Sequence, residues 1–158
     1  MLAFLAAPFV ASLILTGIHA YLGVHVVERG VIFVDLSLAQ MAPYKGTKVV
    51  TYHRSFPNFA ERFGLDVIGY VEPRPGIPPS PQHTLDLIND MKRQNVKPVL
   101  VEPYFDLKTP ESIARSTGAE VLVMPPSVGG VKDATDYIAL FDYDVNTLIA
   151  AIKRTGAK

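Results

Sequence analysis

The chain has 158 residues, no net formal charge at neutral pH and no cysteine. Its length is that of one ordinary domain with room for a short appendage. The lack of cysteine excludes disulfides, thiolate metal sites and cysteine nucleophiles. Because charges balance and no run of Lys or Arg exceeds two residues, nucleic acid is not expected as a partner.

The apolar residues are concentrated at the amino terminus. From Leu2 to Val27 the sequence contains no Asp, Glu, Lys or Arg. A helix over these residues is about 39 Å long, against a bilayer core of roughly 30 Å. A cleavable signal peptide, the alternative, ordinarily has a basic residue after the initial Met and a shorter apolar core. The sequence therefore predicts an N-terminal transmembrane helix.

The composition changes at Ala42/Pro43. Before it, a second apolar stretch at 31–38 either lies at a membrane interface or begins another membrane helix. After it come nearly all of the charged residues and prolines. We therefore predict a membrane segment over 1–42 and a water-soluble domain over 43–158.

Strands and helices alternate in the soluble domain. Short runs rich in β-branched residues predict strands at 48–52, 67–71, 98–102 and 120–124. Apolar side chains at helical spacing fill the intervals and the segment after Tyr137. This alternation predicts an α/β fold, a single lobe with a four-stranded parallel sheet flanked by helices.

Capping residues set the predicted helix ends. Ser55 is expected to cap the first helix of the lobe, and Gly64 to end it. Ser80 followed by proline opens the second helix, which is predicted to bury three apolar side chains. These three are Leu85, Ile88 and Met91. The third helix starts near Thr109 and ends at Gly118.

Two side chains at predicted strand ends are possible metal ligands. His53 follows the first strand and Glu102 closes the third, and ligands of open parallel sheets bind beyond the carboxyl ends of the strands. Imidazole and carboxylate suit zinc or manganese, but zinc requires at least three protein ligands. The alternative is a histidine packed at the sheet edge and a glutamate that caps a loop or pairs with a lysine.

The other histidines are not predicted as ligands. His19 and His25 lie about 120° apart around a helix, so they do not share a face. His83 falls in the first turn of a predicted helix, where a solvated side chain is expected.

Several segments resemble the zinc- and manganese-type solute-binding proteins of ABC importers. They occur in the same order and at matching spacing over about residues 44–155. The segments are Thr51-Tyr52-His53-Arg54-Ser55-Phe56, Pro75-Gly76-Ile77-Pro78-Pro79-Ser80-Pro81, Val101-Glu102-Pro103-Tyr104-Phe105, Ser127-Val128-Gly129-Gly130 and Asp136-Tyr137 with Asn146 and Leu148.

The resemblance implies half of a two-lobed metal-binding protein. In that family two α/β lobes hold a metal ion between them, and the second lobe contributes one histidine, here His53. The family usually adds a carboxylate after the last strand. This chain has Pro125-Pro126 there, so that ligand is a water, Glu102 or nothing. Two further histidines belong to the first lobe, which implies a complementary lobe, possibly from another chain.

Residues 1–42 look like a different protein, the first membrane helix of the partner permease. The resemblance rests on three segments: Phe4 to Phe9, Thr16 to Gly23 and Val31 to Gln40. A helix in the permease orientation places the lobe in the cytoplasm. Capture of external metal requires the reverse, with the helix as an uncleaved anchor and the lobe outside the cytoplasm.

We therefore predict that this chain is a membrane-anchored component of an ABC importer that binds zinc or manganese. His53 and Glu102 are the predicted metal ligands, and the affinity for the metal is expected to be weak. Its predicted partners are the metal ion and the permease subunit. The alternative is a fragment that docks on a permease or a partner lobe without metal. An enzyme is not expected, because there is no Gly-rich phosphate loop and no serine nucleophile elbow. Gly129-Gly130 alone is more typical of a turn.

Overall fold

The structure, a computed structural model, describes residues 2–28 and 31–157, with side chains at 8–21 and 36–157. Contacts between residues group the chain into two units, 1–36 and 37–158. The division predicted at Ala42/Pro43 rests on composition and stays a prediction.

The first unit is helical. Helix α1 spans Leu2–Glu28, and helix α2, Val31–Met41, begins in this unit and continues into the second. Within α1 the hydroxyls of Ser12 and Thr16 donate to carbonyls of the preceding turn, at 2.8 Å each. This arrangement satisfies polar side chains within an apolar helix.

The predicted transmembrane assignment of α1 is not supported. Among the residues that the structure describes, no helix is both long enough and apolar enough to cross a membrane. The side chain of His25 lies outside the described residues. The same is true of the side chains of residues 2–7 and 22–27, at the two ends of the charge-free segment.

The second unit contains the predicted alternation of strands and helices. A short 3₁₀ turn, Ala42–Tyr44, leads into it. The elements that follow are β1 (Lys48–Thr51), α3 (Pro57–Phe63), β2 (Asp66–Tyr70), α4 (Pro81–Gln94), β3 (Pro98–Val101), α5 (Lys108–Thr117), β4 (Glu120–Val123) and α6 (Tyr137–Thr155).

Within the described residues the four strands form one parallel sheet in the order β2-β1-β3-β4. This confirms the predicted α/β lobe. The inner strands β1 and β3 are buried along nearly their whole length, as expected for strands covered on both faces.

Successive side chains of each strand enter two different cores. Val49 and Leu100 pack with α3 and α6 on one face, whereas Val50 and Val99 pack with α4 and α5 on the other. The sheet is thus a middle layer between helices, and ligands of such sheets bind beyond the carboxyl ends of the strands.

Two details of the predicted helices are wrong. Ser55 does not cap α3, because Phe56 occupies the N-cap position without a side-chain hydrogen bond. Leu85 is 56% exposed, and Leu87 takes its place in the core with Met91. The Ser80 cap is confirmed, since its hydroxyl accepts a hydrogen bond from the backbone N–H of His83 at 3.2 Å.

A close approach between β2 and α4 explains why Leu87 is buried. A Cβ atom added to Gly69 lies 2.8 Å from Cδ1 of Leu87, which is closer than two carbon atoms can pack. The glycine therefore makes room for the leucine side chain.

We expect Gly69→Ala to lower the free energy of unfolding by about 1–3 kcal/mol, because the added methyl group overpacks the contact with Leu87. Urea denaturation measures the change. In a Leu87→Ala background the same substitution should lower the free energy of unfolding much less. An equal decrease in both backgrounds would contradict this packing.

Candidate functional site

The carboxyl edge of the sheet brings together three titratable side chains from adjacent strands. His53 follows β1, Glu72 follows β2 and Glu102 follows β3. The backbone N–H of Glu72 donates to the carbonyl of Tyr52 at 3.0 Å, which continues the β1–β2 ladder past the ends of the strands. Parallel register thus places Glu72 beside His53.

Both ring nitrogens of His53 face oxygen atoms of Glu72. Nε2 lies 2.9 Å from the carboxylate atom Oε2, and Nδ1 lies 3.1 Å from the backbone carbonyl oxygen. The side chains are 12% and 10% exposed, respectively. The histidine is therefore largely enclosed, yet its partner is a group that can itself bind a cation.

The hydrogen bonds determine which nitrogen is available to a metal ion. A carbonyl oxygen can only accept, so Nδ1 carries a proton and donates it to Glu72. The other nitrogen, Nε2, faces the carboxylate and is the one that a metal ion can bind when it carries no proton. A metal-binding histidine usually has this arrangement, with one nitrogen donating to a carbonyl or carboxylate and the other toward the metal.

Aromatic rings enclose the histidine. Tyr52 and Phe105 are stacked with their centroids 4.5 Å apart, and both meet the His53 ring edge to face at 5.0 and 4.8 Å. Burial raises the pKa of Tyr52, and the hydrogen-bonded Glu72 carboxylate adds to the effect. The phenol therefore stays protonated beside the Glu72 carboxylate.

Glu102 is fully buried, and neither carboxylate oxygen has a hydrogen-bond partner among the residues that the structure describes. Its charge is close enough to add to the raised pKa of Tyr52. Within the described residues, however, no three His, Asp or Glu side chains form a group that could hold a metal ion. Glu102 as a ligand stays a prediction.

Sequence reasoning missed Glu72. It directly follows the second predicted strand, at the same edge position that singled out His53 and Glu102. The rule that ligands bind beyond the carboxyl ends of parallel strands therefore pointed to this residue as well. Nothing in the local sequence, however, shows that its carboxylate contacts His53.

The remaining described histidines bond to backbone carbonyls. His19 Nδ1 lies 2.7 Å from the oxygen of Leu15, and His83 Nε2 lies 2.9 Å from that of Tyr70. His19 has the satisfied role that the sequence suggests, whereas His83 is part-buried and bonded to a carbonyl rather than solvated. His83 is thus a suitable control for His53.

Pro125-Pro126 borders a cleft of about 380 Å³ on the α6 side of the sheet. Asp144 and Arg54 also line this cleft. Asp144 is only 5% exposed, and its Oδ1 has no hydrogen-bond partner within the described part of the chain. Burial raises the pKa of this carboxyl from 3.8 to about 7.

The pKa of Asp144 predicts the pH dependence of stability. Between about pH 4 and 7 the folded protein keeps a proton that the unfolded chain has lost, so this residue lowers stability as the pH rises. Asp144→Asn should remove this dependence of the unfolding free energy on pH. It should also stabilise the fold at pH 8 by roughly 2 kcal/mol or more.

Urea denaturation at pH 5 and pH 8 tests this. Asp142→Asn, an exposed neighbour on α6, is the matched control and should leave the slope unchanged. An Asp144→Asn protein with the slope of the parent chain would contradict the assignment.

Comparison with known proteins connects this geometry to a family. The sequence profile described as "Zinc-uptake complex component A periplasmic" matches residues 37–151. The high-affinity zinc uptake system protein ZnuA of Brucella abortus is 24% identical over 98 residues, which are 62% of this chain and 29% of that protein.

Solved structures show the same fold. The binding protein FpvC of Pseudomonas aeruginosa, in complex with Ni²⁺, is 27% identical with a TM-score of 0.64, and the match covers 83% of this chain and 49% of that chain. A crystal structure of ZnuA is 26% identical with a TM-score of 0.57, covering 79% and 44%.

The chain spans about half the length of these solved structures and 29% of the curated relative. The profile match begins at residue 37, and the other comparisons name zinc-uptake and solute-binding proteins. They give no support to the predicted resemblance of residues 1–42 to a permease.

Proposed function

Because this chain belongs to the family of periplasmic zinc-uptake component A, we propose that its lobe binds a zinc or manganese ion for an ABC importer. His53 and Glu72 are the proposed ligands. The family is one of metal-binding transport components rather than enzymes. Its members are periplasmic, and we propose the same extracytoplasmic placement for this lobe.

The geometry of His53 carries this proposal. Its Nδ1 is engaged by a backbone carbonyl, and its Nε2 points at a carboxylate oxygen 2.9 Å away. In a tetrahedral zinc site, metal–ligand distances of 2.0–2.1 Å place neighbouring ligand atoms about 3.3 Å apart. A cation can therefore replace the proton of the pair if the two atoms separate by only a few tenths of an ångström.

Glu102 is the second carboxylate that we propose for the site. A buried carboxylate without a partner is costly, and a nearby cation offsets that cost. It lies at the end of β3, next to β1 in the sheet. Its negative charge favours a divalent ion at the strand ends even where it does not touch the ion.

His53 and Glu72 supply two donors, so further ligands come from water or from a complementary lobe. The proposed recipient of the ion is an ABC permease, as for a binding protein of this family. The carboxyl edge of the sheet is the face on which a complementary lobe closes.

Calorimetric titration with zinc and with manganese tests the site. We expect His53→Ala to abolish measurable binding and Glu72→Gln to weaken it by about 10- to 100-fold, because one loses the nitrogen ligand and the other the paired charge. Glu102→Gln should weaken binding less. His83→Ala is the control and should bind like the parent chain. Equal binding by the His53→Ala and His83→Ala proteins rejects the assignment.

A second candidate function is a docking fragment that holds no metal. The closed His53–Glu72 pair and the lack of a three-ligand group among the described residues favour it. Co-purification with the permease from membranes, with and without a chelator, separates the two. Association that is insensitive to chelator, from a chain that binds no zinc in calorimetry, supports the docking role.

A further inference from the structure

We propose that the cleft beside α6 binds a small organic cation, a primary ammonium group carried on an apolar body. The carboxylate of Asp144 pairs with the ammonium group, and the aromatic walls cover the body. This site is separate from the proposed metal site, because His53, Glu72 and Glu102 are not among the residues that line the cleft.

One side of α6 forms much of the cleft. Four of its side chains line the cavity at spacings of three and four residues, so they share one side of the helix. These are Tyr137, Leu140, Phe141 and Asp144. Residues 54–59, which lead into α3 and begin it, and the two prolines at 125–126, which follow β4, complete the described lining.

The cleft has an exposed rim and a buried base. Asn58, Pro126 and Tyr137 are exposed, whereas Phe56 and Asp144 are each only 5% exposed. Its volume of about 380 Å³ lies near the lower end of the roughly 300–1,000 Å³ that is typical of small-molecule sites. The lining therefore places an acid at the buried part of a cavity of suitable size for a small ligand.

The carboxyl group of Asp144 lacks a partner. Its Oδ1 is enclosed without a hydrogen bond among the described residues. Arg54, the one basic residue in the described lining, holds its guanidinium 5.0 Å from the centroid of the Tyr70 ring. Burial raises the pKa of Asp144 to about 7, so the arginine does not offset the cost of ionising the carboxyl. A bound ammonium group supplies both the hydrogen bonds and the opposite charge.

The aromatic side chains fit the rest of such a ligand. The ring centroids of Phe56 and Phe59 are 6.4 Å apart, and those of Tyr137 and Phe141 are 4.8 Å apart. Ring faces attract cations, and their apolar surface covers hydrocarbon. A transition metal ion does not fit, because the described lining has a single acid and no histidine. The cleft is therefore suited to an organic cation.

Calorimetric titration of the full chain with phenethylammonium tests the inference. At about pH 8 the Asp144 carboxyl is ionised, while an alkyl ammonium group keeps its proton. We expect saturable one-to-one binding. The probe 2-phenylethanol has the same hydrocarbon body without the charge and should bind at least about tenfold more weakly. Equal binding of the amine and the alcohol overturns the inference, because the charge then plays no part.

Variants locate the bound amine. Asp144→Asn should weaken its binding by about 10- to 100-fold, because the substitution removes the charge and keeps the shape. Asp142→Asn, on the exposed side of α6, is the matched control and should bind like the parent chain. Tyr137→Ala removes a ring that is 56% exposed, so the core stays intact, and should weaken binding by about two- to fivefold.

Two further results overturn the inference. One is amine binding by the Asp144→Asn protein that equals binding by the parent chain, with circular dichroism showing that both are folded. The other is the absence of saturable binding by the parent chain below about 10 mM phenethylammonium. Neither result bears on metal binding at His53, which is measured separately.

Discussion

His53 is held by a single residue through both of its ring nitrogens, and the candidate site depends on that arrangement. The carbonyl of Glu72 accepts a hydrogen bond from Nδ1, while its carboxylate faces Nε2, the nitrogen proposed to bind a metal ion. Tyr52 lies close enough for this carboxylate to raise its pKa, and Phe105 meets the histidine ring edge to face. The result is a histidine whose orientation is set before any cation arrives.

This arrangement follows from the parallel register of β1 and β2. The ladder pairs Thr51 with Tyr70 and continues through the hydrogen bond from Glu72 to Tyr52. A shift of one residue turns Glu72 to the opposite face of the sheet and separates it from His53. The buried strands and the glycine contact that seats α4 against β2 thus stabilise the site as well as the fold.

The edge of the sheet differs from the family pattern at β4. Pro125 is buried where a carboxylate is usual, and the nearest cleft contains Asp144, which holds its proton to about pH 7. The carboxyl groups of Glu72 and Glu102 belong instead to the residues that follow β2 and β3, the two strands beside β1.

Sequence patterns alone were enough to predict the α/β lobe, its four parallel strands and the position of His53 at a strand end. They succeeded because β-branched runs, caps such as Ser80 and glycines such as Gly64 act over a few residues. They misplaced Ser55 as a cap and Leu85 in the core, since the choice between neighbouring positions depends on packing. Only the tertiary structure paired His53 with Glu72, because residues 19 apart in the chain meet only through the register of two strands.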